Sequence, residues 1–554
     1  MRLLSVAALC ALSFLALSAA DAFADAVKMP FLRKSTAGAT ELVVDGKPFV
    51  MLAGELTNSG GSTARSMADR WENLVALNLN TVLIPVSWEQ VEPEEGKYDF
   101  SHVDSLVAGA RRHDMKLVLL WFGSWKNGSS GYAPYWVMGD TSRFPRMKNR
   151  DGRTLPYLSC FSPELVRAES RTFGRLMRHI GEIDRDHATV LMVQVENEVG
   201  LLGDSRDRSP RAEKMFSSEV PGAITRMLKA NAGEVWPEIT DEWKKRGARE
   251  RGDWMTLFGN ESNSLADEMF MAWHYARHIE AVAAAGKNEY PLPMLVNAWT
   301  IYPKDPVPGH YPSGGPNSRM MDVYMLAAPS VDIFAPDNYN EEYAATFAGY
   351  ERRGNPVFVP EAVALFRGEK WSGPAKAFYT IAEHDGLCFS PFAIDNKLYE
   401  ASAHPLGAAY KTLRELMPLI VRYRGTERMR GFMMETERNQ TFDMVGYRLH
   451  VNYQSGVPYD GYGLVIQLSD NEFLVSGYNI NVSFSSLDSK KKEVSYGLIR
   501  EGSYEGGKWS TYRYLGGDEA MQGVGGVKMP PVYTDEERTP HMVTTVILKV
   551  IKVQ

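Results

Sequence analysis

Eight short apolar runs, each followed by a stretch with helical periodicity, fill residues 40–420 and leave few folds open. They are FVMLAGE (49–55), TVLIPV (81–86), KLVLLWF (116–122), the run at about 188–196, PMLVN (293–297), VDIFAP (331–336), PVFVP (356–360) and GLCFSPF (386–392). Runs this short and this continuously apolar read as strands buried on both faces. Between them, Met67, Trp71, Leu74 and Val75 share one helical face, and Val103, Leu106, Val107 and Ala110 recur at i, i+3, i+4 and i+7. Ser162-Pro163-Glu164 supplies an N-cap, a first-turn proline and a favourable acidic residue, opening a helix that turns Phe173, Leu176, Met177 and Ile180 inward. Strands alternating with helices imply a parallel sheet, and eight in series match a closed (β/α)8 TIM barrel.

Two parts of the chain depart from this rhythm. Residues 200–290 begin polar and charged and become helical around Ala266–Ala285, as expected of an enlarged loop on the catalytic face after strand four. Beyond about residue 425, Tyr478, Ile480, Val482 and Phe484 alternate with Asn479, Asn481 and Ser483. Similar runs recur at LVIQL (464–468), EVSYGLI (493–499), STYRYL (510–515) and TTVILKVIKV (544–553). Period-two patterning between Gly, Asp and Ser turns predicts a small antiparallel β-sandwich domain. The expected organisation is a signal peptide over 1–24, the catalytic barrel over 25–425 and the β-sandwich domain over 426–554.

The first residues have the build of an export signal. Arg2 gives the positive end, Leu3 to Leu17 the apolar region, and Ala20-Asp21-Ala22 or Ala22-Phe23-Ala24 the cleavage site. That run is too short to favour a membrane span, and no later one is long enough, so an exported protein, periplasmic or secreted, is expected without a membrane partner. The mature chain keeps Cys160 and Cys388, whose spacing leaves both a disulfide and two free thiols open. A net charge of −7 gives no basic footprint and argues against nucleic acid. The 11 histidines include no His-Glu-x-x-His and no clustered ligand spacing, so neither a metal nor another cofactor is expected.

The chemistry concentrates where apolar runs end in acid. Glu198 closes VLMVQVENEVG (190–200), and Glu361 follows Pro360 at the end of PVFVP. Carboxylates at strand ends are how a barrel of this kind assembles its site, and two carboxylates facing one bond are what glycoside hydrolysis requires. In an extended strand Glu196 and Glu198 would share a face with Asn197 opposite, which does not separate the two acids. A bulge or turn there would bring Asn197 into the site.

Three segments carry a resemblance to the family 35 glycoside hydrolases, chiefly β-galactosidases. They are NTVLIPVSWEQVEPEEGKYDFS (80–101), VLMVQVENEVG (190–200) and PVFVPEA (356–362). In the first, Trp88, Glu89, Pro93, Gly96, Tyr98 and Phe100 stand in the family's order; the second matches its Gln-Val-Glu-Asn-Glu-x-Gly element. The chain departs from the pattern at Val199, at LLWFGSWKNG (119–128) and at Glu361-Ala362-Val363, positions that bear on sugar contacts. The resemblance implies a retaining exo-β-galactosidase in which Glu198 is the acid/base and Glu361 the nucleophile, acting on galactosides or plant-type oligosaccharides. It implies that Asn197 donates to the sugar 2-hydroxyl and that the C-terminal β domain is that of a bacterial branch. Members of this family often associate, so a homodimer is a further expectation.

Other substrate-binding candidates come from their places on the same rim. Tyr339, after strand six, is positioned to hydrogen-bond the nucleophile; Trp125, Lys126 and Asn127 follow strand three; Trp299 and Trp371 follow strands five and seven. Two rival readings remain: another retaining β-glycosidase of the same clan, and a carbohydrate-binding barrel without catalysis.

Overall fold

The computed structural model describes residues 29–553 apart from 232, 260–263, 364–371, 397–404, 454–460, 518, 520–524 and 530–542. The expected signal segment and Trp371 lie outside the described residues. All eight apolar runs are parallel strands: β1 (Met51–Glu55), β2 (Thr81–Ser87), β3 (Lys116–Lys126), β4 (Val190–Asn197), β5 (Met294–Trp299), β6 (Ile333–Asp337), β7 (Phe358–Val359) and β8 (Cys388–Phe389). They pair in the order β6-β5-β4-β3-β2-β1-β8-β7. The ring closes between β6 and β7 through a single bridge, Asn338 to Ala362, in which the Asn338 N–H donates to the Glu361 carbonyl at 2.9 Å. The chain is therefore the (β/α)8 barrel that its patterning predicts.

Packing follows the sequence pattern closely. Val103, Leu106, Val107 and Ala110 on α2 (Ser101–Arg112) and Phe173, Leu176, Met177 and Ile180 on α3 (Pro163–Asp184) are buried. The Ser162 hydroxyl caps α3 by accepting from the Leu165 N–H at 3.2 Å. Cys388, with Met51, Leu83, Leu120 and Ile333, belongs to the layers filling the barrel interior. Cys160 is buried outside that cluster, and both thiols are free. The first helical face differs from expectation: the segment splits into Ala64–Ala68 and Trp71–Ala76, and Val75 is exposed. After the split Val75 no longer lies in line with Met67 and Trp71, which stay buried with Leu74.

Between β4 and its returning helix α4 (Leu265–Glu289) the chain inserts four short helices, Pro210–Phe216, Gly222–Asn231, Pro237–Lys245 and Trp254–Phe258. This is the enlarged fourth loop. The C-terminal region forms two antiparallel sheets, of six and four strands, that enclose Phe432, Leu449, Val475, Val482, Val527 and Leu548. The alternating run 478–484 is not one strand. Tyr478 ends Glu472–Tyr478 in the larger sheet, and Ile480 begins Ile480–Ser486 in the smaller. Asn479 between them has φ +54°, a left-handed turn that asparagine tolerates better than most residues. The larger sheet also packs on the barrel: Met429, Leu464, Ile466 and Leu474 join the main core with Phe378 of α7 (Gly373–Ala382) and Leu413 of α8 (Pro405–Tyr423). No helix among the described residues is long and apolar enough to cross a membrane.

Candidate active site

At the C-terminal ends of the strands, polar side chains from five of them converge. Glu55 ends β1, Lys126 ends β3, Asn297 lies near the end of β5, Asp337 ends β6, and Asn197 ends β4, directly before Glu198. Glu361 stands two residues after β7. One carboxylate oxygen from each of Glu198, Asp337 and Glu361 lies within 4.8 Å of the others, and all three residues are buried. Carboxylates from three different strands therefore meet.

Local backbone conformation separates the two acids of the strand-four motif. Glu196 has φ +62° and Glu198 has φ +45°, so the strand is not extended where they leave it and they do not share a face. Non-glycine residues in this region cost on the order of 1–3 kcal/mol each and persist where their surroundings hold them. Those surroundings are visible. The Glu198 N–H donates to Asn297 Oδ1 at 2.9 Å, which aims its side chain at Glu361. Glu196 turns behind β3, where its carboxylate accepts from the Ser124 N–H at 3.0 Å and the Trp125 N–H at 2.8 Å.

Electrostatics distinguish the converging groups. Burial, then the charge of Glu361, raises Glu198 to about 7 against the lowering effects of Asp337, Lys126 and Asn127. Burial and the charges of Glu361 and Glu198 hold Asp337 well above the usual carboxylate range, and a hydrogen bond links it to Glu198. Burial and Glu361 do the same to Glu55. Burial alone would lower Lys126, but the carboxylates of Glu361, Glu55, Glu198 and Asp337 raise it above the ordinary lysine range. The site thus holds its excess of carboxylates around one ammonium and keeps protons on some of them.

Glu361 is steered by two donors. The Tyr339 hydroxyl donates to Glu361 Oε2 at 2.7 Å, and Asn297 Nδ2 lies 3.5 Å from Oε1 while donating to Asp337 Oδ2 at 2.8 Å. Burial and the Glu361 charge raise the Tyr339 phenol, which keeps its proton available for that bond. Asn127 Nδ2 donates to Glu198 Oε2. Lys126 Nζ donates to Asn197 Oδ1 at 3.0 Å, because a register shift between Trp121 and Lys126 brings Lys126 opposite Asn197.

Of the residues singled out in the sequence, Glu198, Glu361, Asn197, Tyr339, Lys126 and Asn127 meet here. Trp125 does not: its indole N–H donates to the Leu158 carbonyl at 3.1 Å, and its ring packs edge-on against Tyr275 and His278 in the core. It cannot stack on a sugar from there. The left-handed turn at Glu196 binds the Trp125 backbone and sets its side chain on the outer face of the barrel wall. Trp299 ends β5 half-buried, with its indole N–H unpartnered among the described residues. Glu55, Asp337 and Asn297 escaped the sequence reading, although the signal was present. Each ends, or nearly ends, one of the eight apolar runs, as Glu198 does.

Two trios among the described residues have donor atoms close enough to hold a metal ion: Glu198, Asp337 and Glu361, and Glu169, Glu196 and His278. In the first, Lys126 already supplies positive charge. In the second, every carboxylate oxygen is engaged, because Glu169 accepts from Trp121 Nε1 and His278 Nε2, each at 2.9 Å, and from the Ser124 hydroxyl. Along the loops after β5 and β6, a cavity of about 640 Å³ is lined by Trp236, Tyr302, Lys304 and Glu342 among others, and by none of the three carboxylates.

Comparison with known proteins gives a partial match in sequence. Residues 62–247 match the Glyco_hydro_42 family model, described as Beta-galactosidase, and residues 406–525 match a domain of unknown function, DUF5597. A Beta-galactosidase from Xanthomonas manihotis is 32% identical over 172 residues, 30% of this chain and 26% of that protein. The chain thus spans about a quarter of the length of the curated relative it matches. Among solved structures, a β-galactosidase from Rahnella sp. R3 superposes with a TM-score of 0.46 at 15% identity, over 68% of this chain and 57% of that one. The catalytic domain of a β-amylase from Paenibacillus polymyxa gives 0.46 at 11% identity, over 64% and 96%. The segment shared with β-galactosidase sequences contains β3, β4 and Glu198, and the family model it matches is family 42 rather than family 35.

Proposed function

We propose that the protein is a retaining exo-β-galactosidase that removes terminal β-galactosyl residues, with Glu198 as acid/base and Glu361 as nucleophile. The observation that carries this reading is the approach of the two carboxylates, within 4.8 Å at their nearest oxygens, from the ends of β4 and the β7 loop. Retaining glycosidases hold their carboxyl groups about 5–5.5 Å apart, whereas inverting ones need about 6.5–9.5 Å to admit a water.

The unlike settings of the two glutamates divide the labour. Glu198, raised to about 7, keeps a proton near neutral pH and donates it to the departing glycosidic oxygen. Glu361, oriented by Tyr339, attacks the anomeric carbon as the carboxylate, forming a glycosyl ester as the C–O bond to the leaving group breaks. Glu198, now deprotonated, takes a proton from water, whose oxygen displaces Glu361 and restores it, so configuration is retained. Asn197, anchored through its carbonyl by Lys126, directs its free N–H2 at the 2-hydroxyl.

Finer points belong to the same reading. The segments 80–101, 190–200 and 356–362 support placement in family 35 by motif, alongside the family 42 match over 62–247. The signal-like first 24 residues support export to the periplasm or beyond, where plant-type oligosaccharides would be met, and a homodimer fits the resemblance. The division near residue 425 separates the barrel from the two-sheet region. Incubation with nitrophenyl β-galactoside, β-glucoside and β-xyloside, with the anomer of the released sugar followed by NMR, tests the core of the proposal. Preferential release of galactose as the β-anomer is expected. Release of the α-anomer, or of nothing from any of the three, would overturn it.

A further inference from the structure

Among the described residues, Glu55 is the carboxyl at the barrel mouth with neither oxygen in a hydrogen bond. It is completely buried, and neither carboxylate oxygen finds a donor among the described residues. Its direction is fixed from below. The Glu55 N–H donates to the Pro391 carbonyl at 2.8 Å, and its own carbonyl accepts from the Ile394 N–H at 2.9 Å. The preceding Gly54 lies so close to Ile394 that a Cβ there would sit 2.7 Å from its side chain. Glu55 ends β1 in the same ring whose strand ends carry Lys126, Glu198 and Glu361, and those three charges act on it.

A buried carboxyl with no partner is retained where something else is meant to satisfy it. Donors stand ready on the β3–β4 side. Lys126 Nζ uses one of its three hydrogens on Asn197 Oδ1, and Asn197 Nδ2 has no acceptor among the described residues. A carboxyl without a partner among the described residues, with unused donors on neighbouring strand ends, is complementary to a ligand whose groups both donate and accept, which is the character of neighbouring sugar hydroxyls. A second cation is a poor fit, because the Lys126 ammonium already occupies that electrostatic role.

We infer that Glu55 and Lys126 form the clamp that recognises the non-reducing sugar, with the Glu55 carboxyl hydrogen-bonding two vicinal hydroxyls and Lys126 donating to one of them. The inference rests on the glycosidase reading above and deepens it: the ligand class is a hexose with adjacent free hydroxyls, read by β1 and β3. A carboxyl that hydrogen-bonds two hydroxyls at once penalises loss of either, because the oxygen left over is stranded in a dry site.

The test is calorimetric binding of galactose, 3-deoxygalactose and 4-deoxygalactose to the full chain and to its Glu55→Ala and Glu55→Gln variants. Nitrophenyl β-galactoside hydrolysis is measured in parallel. In the natural chain at least one deoxy sugar should bind more than about 30-fold more weakly than galactose, the scale of a charged hydrogen bond. In Glu55→Ala galactose itself should weaken by a similar factor, and the deoxy penalty should shrink to less than about 3-fold. Glu55→Gln, which keeps shape but offers one acceptor, should lie between. A deoxy penalty that survives intact in both variants, or galactose that fails to bind the natural chain, overturns the clamp. Equal weakening of all three sugars together with a fall in melting temperature assigns Glu55 a structural role and also overturns it. Sugar binding with the expected pattern but no hydrolysis would sink the hydrolase proposal and leave the clamp standing.

Discussion

Glu196 and Glu198 leave the same strand two residues apart and end in opposite circumstances. Both are buried and both sit beside other acids. Glu196 lies behind β3, with both of its oxygens bound to backbone N–H groups and with Glu169 and His278 alongside. Glu198 faces Glu361 and Asp337, held by Asn127 and Lys126, with Glu55 and Asn197 nearby offering atoms that nothing among the described residues satisfies. Burial and charge do not tell a structural acid cluster from a reactive one. The state of the carboxyl oxygens does: in the rear cluster every one is engaged by the protein, and at the mouth both of Glu55 lack a partner among the described residues.

Glu361→Gln tests the mouth cluster most severely. Loss of the proposed nucleophile should lower kcat on nitrophenyl β-galactoside by at least about 10⁴-fold, with the melting temperature unchanged within a few degrees. Near-normal turnover would remove Glu361 from the chemistry. Glu196→Ala is the mirror experiment on the rear cluster. It strands two buried N–H groups and should cost about 3 kcal/mol in a denaturant titration. Activity lost at full stability would show that the two clusters are less distinct than their bonding implies. Gly123→Ala strikes the same cluster, since a Cβ there would stand 2.1 Å from Glu169 Oε1. It should cost about 1–3 kcal/mol.

pH separates the clusters again. Because Glu198 is raised to about 7 by burial and by Glu361, kcat/KM should fall about tenfold per pH unit above that value as the acid is lost. The same shift bears on stability. Between about pH 4.5 and 7 the folded chain holds a proton that the unfolded chain has released, so this group makes stability fall as pH rises through that window. Glu198→Gln should flatten the decline, and an unaltered thermal-stability profile in that variant would refute the shift. The smallest effect belongs to neither cluster: Ser162→Ala, removing the α3 cap, should cost about 1 kcal/mol and leave the pH profile where it was.

The barrel was legible because its strands are apolar on both faces and its helices are not, a contrast that the linear order preserves. The two glutamates were legible as acids that close such strands. What escaped was set by backbone detail. Trp125 read as a sugar contact, but the β3 bulge and the Glu196 carboxylate turn it into the core. The run through Tyr478 and Phe484 read as one strand because a left-handed asparagine leaves no mark on a two-residue period. Asp337 and Glu55 went unread since one follows and the other ends a run whose apolar letters dominate it, and only the closed ring brings them to Glu198.

The single bridge between β6 and β7 gives the Glu361 main chain a second duty. β7 has only two residues in the sheet, and its partner across the closure is held by the carbonyl of Glu361 itself. Whatever springs the last stave of this cask also displaces the residue proposed to attack the sugar. Heat or mild denaturant should therefore silence the proposed activity while most of the helices remain intact, and turnover becomes a gauge of whether the circle is shut.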